Sequence, residues 1–99
     1  MRYYRLTEDR KTVPCSIDEM NMDIDTRRVR ETFIGKVRIS TVFLGIDHNW
    51  DGGAPLLFET MVFGGELDES QERCSTWEEA VAMHRDMCAR VRRTLFRVA

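Results

Sequence analysis

Twenty-nine residues, Val37 to Gly65, constrain the fold more than any other part of this chain. They read as two strongly apolar strands, VRISTVFLGI and LLFETMVFGG, held apart by a polar loop, DHNWDGGAP. Most of the core-forming residues and the only cluster of chemically versatile side chains fall inside this stretch.

The flanking sequence supplies partners for these strands. Arg28–Ile34 places Val29, Glu31 and Phe33 on one face and Thr32 and Ile34 on the other. Gly35-Lys36 then has the form of a type II′ turn, glycine first, which predicts that Arg28–Ile34 pairs antiparallel with Val37–Ile46. The third strand, Leu56–Phe63, is apolar on both faces and so belongs in the middle of a sheet, covered on one side by a helix. Its second side needs the N-terminal segment or a second subunit as cover. Tyr3–Leu6 reads as a short edge strand followed by a polar turn at Thr7–Thr12. Ser16 and Glu19 have the spacing of a capping box for a short helix over Ile17–Met22. Glu66–Arg73 reads as a polar loop.

The clearest helix signals come last. Ser75-Thr76-Trp77-Glu78 has the S-x-x-E form of a capping box, and Thr76 with Glu79 repeats it one residue later. Trp77, Val81, His84, Cys88, Val91 and Leu95 share one helical face. Acidic residues at the start and arginines near the end suit the helix dipole, which places a helix over Trp77–Thr94.

Length and composition narrow the class. Ninety-nine residues make one domain, 1–99, with a modest core. At 42% hydrophobic and 32% charged the chain falls with folded proteins, and no apolar run approaches the roughly 18 residues of a membrane helix. The start, MRYYRLTEDRK, carries charges where a signal peptide needs an apolar stretch, so a cytoplasmic location in a bacterial host cell is expected. Three cysteines, an odd number without tight spacing, read as reduced thiols and not as a disulfide framework. A net charge of −2 makes nucleic acid an unfavoured partner. Thirteen arginines against two lysines favour planar contacts to carboxylate or phosphate, although GC-rich coding gives the same bias.

Several constellations could carry chemistry. Asp47-His48-Asn49-Trp50-Asp51-Gly52 matches the first half of a calcium loop, D-x-N-x-D-G. The closing acid falls on Phe58, with Glu59 one residue late, so a polar β-connection with side-chain turns is the simpler reading. His84 and Cys88, with Cys74 before the helix and His48 or Cys15 at a distance, could be drawn as zinc ligands. Paired C-x-x-C knuckles are missing, however, and both helical residues sit on the apolar stripe. No metal and no cofactor is expected.

Glu59 shares its strand face with Leu57, Met61 and Phe63, so its carboxylate needs a partner, either His84 from the covering helix or an arginine such as Arg38. A Glu59–His84 pair is read as structural, while the same pair is what acid/base chemistry would use. No G-x-S-x-G elbow and no phosphate loop occurs, and no catalytic residue is assigned. Trp50 is either a binding anchor on the loop or a cap folded over the end of the sheet. Arg90, Arg92, Arg93 and Arg97 read as a solvated helix end that could hold phosphate or an acidic partner.

Residues Arg27 to Glu79 resemble a group of small proteins encoded by bacteriophages and prophages. The resemblance rests on RRVRET, VRISTVFLGIDHNW, PLLFETMVFGG and the closing RCSTWEEAVAMH. It covers about half of the chain and leaves out the N-terminal 26 residues. The group has no assigned activity, so the likeness implies a viral or prophage origin and transfers no catalytic residues. Loops of that group often read DHSFG, without the second aspartate, which weakens the calcium reading further. Small phage proteins commonly bind a host or viral protein, as inhibitors of defence systems, modulators or assembly factors.

The expectation is therefore an α+β domain with an antiparallel sheet of three or four strands and one long C-terminal helix across one face. Its expected role is non-enzymatic binding of a host or phage protein through Asp47, His48, Asn49, Trp50 and Asp51. A homodimer through the second sheet face is the subsidiary expectation. The alternative is a small metal-dependent or acid/base enzyme using Asp47, His48, Glu59 and His84.

Overall fold

A computed structural model describes residues 2–21 and 23–96. An N-terminal hairpin pairs β1 (Tyr3–Leu6) with β2 (Thr12–Cys15). A single 3-10 turn (Ile17–Glu19) and a short helix, α1 (Ile24–Arg27), lead into an antiparallel sheet. Its strands are β3 (Arg28–Ile34), β4 (Val37–Phe43), β5 (Phe58–Phe63) and β6 (Gln71–Cys74), hydrogen-bonded in chain order. Helix α2 (Trp77–Leu95) packs across one face and completes the expected α+β architecture.

The β3–β4 hairpin closes as expected, with Ile34 opposite Val37 and Gly35 at φ 59° as a type II′ turn requires. Strand β4 stops earlier than expected. Gly45 takes φ 81°, and a β-carbon there would lie 2.7 Å from the Met20 methyl. The chain turns at that glycine so that Gly45 can accept from the Tyr4 amide at 2.8 Å, which docks the N-terminal hairpin. Arg27 fixes the same corner by donating to the carbonyls of Phe43 and Leu44 at 2.9 and 3.1 Å.

Three further expectations change. The segment read as the loop Glu66–Arg73 contains β6, whose polar sequence QERC hid it: an edge strand needs no apolar face and tolerates charge. The helix expected over Ile17–Met22 is only the 3-10 turn, where the Ser16 amide and hydroxyl both donate to Glu19 at 3.0 Å; Met22 lies outside the described residues. The buried side of α2 is rotated from the expected stripe. Ala80, Met83, His84, Met87, Cys88 and Val91 are buried, whereas Trp77 and Val81 are half-covered and Leu95 is exposed.

The interface between sheet and helix is layered. Ile34, Val37, Ile39 and Val62 pack with Met87, Cys88 and Val91 towards one end. Tyr4, Phe43, Leu57, Phe58 and Ala80 pack towards the other, where the Phe43, Phe58 and Trp77 rings follow one another at 5.4 and 6.3 Å. Along β4, β5 and α2, the residues between these clusters are Thr41, Thr60 and His84, all buried. A polar layer thus divides the core in two.

Candidate functional site

The loop between β4 and β5 is braced from within. Asp47 Oδ1 accepts from the amides of Asn49 and Leu56 at 2.8 and 3.0 Å, pinning both ends of the loop to one carboxylate. Asn49 repeats the device, accepting from the Asp51 amide at 3.1 Å and donating to the Ala54 carbonyl at 2.8 Å. Such side-chain turns are what Asp and Asn supply in tight connections. The His48 amide donates to Leu56 and the side chain is half-buried. Trp50 stands at the tip, 73% exposed, beside exposed Asp51. It does not fold back over the sheet. Arg2, Asp47, Asn49 and Trp50 border a shallow hollow of about 330 Å³ at its base.

The acid–histidine pair expected within the core does not form. Glu59 lies on the sheet face away from α2 and pairs with Arg73, its cross-strand neighbour on β6, at 2.9 Å. His84 lies under the opposite face. The cause is the two-residue period of β5: Phe58, Thr60 and Val62 turn to the helix, and Glu59, Met61 and Phe63 turn away from it. Arg38, the other suggested partner, is taken by Glu31 at 2.8 Å and lies over the Phe63 ring. Asp47 and His48, Glu59, and His84 therefore occupy three separate places and line no common pocket.

His84 instead joins a chain of hydroxyls that the sequence did not announce. Its Nδ1 lies 2.7 Å from Thr41 Oγ1, and its Nε2 lies 2.8 Å from Thr32 Oγ1. Thr41 and Thr60, directly opposite in register, meet at 2.5 Å. Burial first, and then the nearby Arg30 charge, hold the imidazole below its ordinary pKa, so it is neutral at pH 7. The available signal was one threonine on the helix-facing side of each of three adjacent strands.

The zinc constellation does not assemble. Cys88 is buried in the apolar cluster, and Cys74 donates to the Thr76 carbonyl. Burial, followed by the Glu79 carboxylate, pushes the Cys74 thiol up to about 11. Among the described residues no three His, Cys, Asp or Glu side chains gather as a metal-binding group. Of the C-terminal arginines, Arg90 pairs with Glu72 at 3.1 Å and Arg92 and Arg93 are exposed. Arg97 lies outside the described residues.

No described helix is long and apolar enough to cross a membrane. Comparison with protein-family models, curated proteins and solved structures finds no match for this chain.

Proposed function

We propose that this chain is a non-enzymatic binding protein whose contact surface is the loop Asp47–Pro55, with Trp50 as its anchor. The observation that carries the reading is a largely exposed indole on a loop braced by its own side chains. Tryptophan is favoured at interface hot spots, and a loop ordered in advance loses little entropy on docking. The partner is a protein with an apolar slot for the indole and a basic rim facing Asp51. The resemblance in Arg27–Glu79 supplies the setting, a bacteriophage or prophage protein acting on a host or viral protein, with inhibition of a host defence system as one such role.

A pull-down from bacterial lysate tests this, comparing the wild type with the His48→Ala/Trp50→Ala variant and with Phe33→Ser, on the sheet face away from α2. A protein retained by the wild type and Phe33→Ser but lost by the loop variant supports the reading. Equal retention by all three, or no retained protein, removes it.

A second reading concerns the face of the sheet away from α2, where Phe33 and Phe63 are 65% and 39% exposed. Two ion pairs, Glu31–Arg38 and Glu59–Arg73, give that face both signs of charge. A surface of this kind can complement a second copy of itself about a two-fold axis. We propose a homodimer through it.

A further inference from the structure

A groove of about 320 Å³ runs between β3 and α2, on the edge of the sheet away from β6. Arg30 borders it from the strand, and Arg85 and Arg92 from the helix. Thr32 and His84 lie at its floor, and among the described residues no acidic side chain lines it. Three guanidinium groups round one hollow repel one another unless an anion lies between them. Arg38, Arg73 and Arg90 all have carboxylate partners elsewhere on the surface. Arg30 and Arg92 form no ion pair among the described residues, and Arg85 meets only its exposed neighbour Asp86, at 3.5 Å.

We propose that this groove binds a small molecule bearing two or more phosphates, held by Arg30, Arg85, Arg92 and the Thr32 hydroxyl. Guanidinium groups present paired N–H donors that match phosphate oxygens. Arg85 and Arg92 are two helical turns apart, about 10 Å along the axis, which is wider than one phosphate requires. The groove has the volume of a small-molecule site. The chain's net charge of −2 disfavours a nucleic-acid polymer, which normally binds a basic domain.

The polar layer connects this groove to the core. A neutral imidazole carries one N–H and one acceptor nitrogen, so the chain Thr60–Thr41–His84–Thr32 can run in only two directions. In one, Thr32 donates inwards to Nε2. In the other, Thr41 donates to Nδ1, Nε2–H donates to Thr32, and the Thr32 hydroxyl is free to donate into the groove. A phosphate oxygen at Thr32 selects the second direction, so His84 reports occupancy through its tautomer.

The test is calorimetric titration of the whole chain at low salt with inorganic phosphate, pyrophosphate, ATP and a single-stranded oligonucleotide. The imidazole nitrogen shifts of His84 are followed in parallel. Binding of pyrophosphate, ATP or both, more tightly than inorganic phosphate and with a shift towards the Nε2–H tautomer, is expected; the two ligands separate a polyphosphate from a nucleotide. Exposed Arg30→Ala and Arg92→Ala should each weaken binding about tenfold or more, as loss of a charge-assisted contact does. Arg93→Ala, on the same helix but outside the groove, should weaken it several-fold less than either, through long-range charge alone. Failure of pyrophosphate and ATP alike, no preference over inorganic phosphate, equal losses in all three variants, or binding of the oligonucleotide alone would each overturn the proposal. Trp50→Ala leaves this binding intact, so the groove and the loop stand or fall separately.

Discussion

His84 is the residue on which fold and chemistry meet. It is 3% exposed, and both ring nitrogens are engaged by threonine hydroxyls, so its neutral form is already satisfied. Protonation would place a charge in the core near Arg30. The unfolded chain, in contrast, protonates this imidazole at its ordinary value near 6.5. Because the folded pKa lies lower, the unfolded state binds more protons below that pH, and stability rises with pH there. The contribution is complete above about 6.5 and is lost as pH falls from there towards the depressed folded value. Urea denaturation from pH 8 to pH 5 should show this loss in the wild type and a smaller one in His84→Gln. Equal pH dependence in the two proteins would mean that His84 titrates normally in the fold. Thr41→Val, which leaves Nδ1 without its partner, should cost about 1–3 kcal/mol at neutral pH.

At the level of elements, what could be read in advance depended on whether one segment carried its own signal. The β3–β4 hairpin was legible because Gly35-Lys36 is a local instruction for its turn, and α2 because Thr76 and Glu79 form a capping box within four residues. The structure shows that box complete: Thr76 Oγ1 accepts from the Glu79 amide, and Glu79 accepts from the Thr76 amide, both at 3.1 Å. Thr76→Ala should therefore destabilise the protein by about 1 kcal/mol, read as a lower urea midpoint with an unchanged slope. Strand β6 was not legible, because its pairing with β5 is stated nowhere in QERC itself. The facing of Glu59 departs from expectation for a related reason. Leu57 and Phe58 are consecutive and both fully buried, so the two-residue alternation begins only at Phe58, and counting from Leu57 puts Glu59 on the wrong side. A bulge between Arg28 and Arg30 shifts β3 in the same way, letting Val29 pack with the Phe43 cluster while Glu31 and Phe33 face outwards. The loop's Asp and Asn turns were visible in DHNWDGG, but the Arg30, Arg85 and Arg92 groove joins a strand to a helix fifty-five residues further on in the case of Arg85, beyond the reach of any spacing rule.

The whole molecule is a two-layer slab, 51 × 29 × 19 Å, its least dimension little more than one helix laid on one sheet. Its radius of gyration, 14.6 Å, exceeds the roughly 13 Å of a compact 100-residue domain. A third layer against the sheet would thicken the slab. The N-terminal hairpin does not supply it, since Tyr4 joins the cluster on the helix side. The sheet edges are poor sites for association, because β6 is QERC and β3 carries Arg28, Arg30 and Glu31, charges that oppose strand addition. What remains is the bare face, where Phe33, Met61 and Phe63 lie among two ion pairs. Burying it against a second copy would remove two exposed phenylalanines from water and keep α2, the arginine groove and the loop outward. Light scattering after size exclusion should then give a mass near twice 11.6 kDa that falls towards 11.6 kDa on dilution. Phe33→Ser/Phe63→Ser should give 11.6 kDa at every concentration with an unchanged far-ultraviolet spectrum. A wild-type mass of 11.6 kDa, independent of concentration, would leave the face to a different protein and remove the dimer.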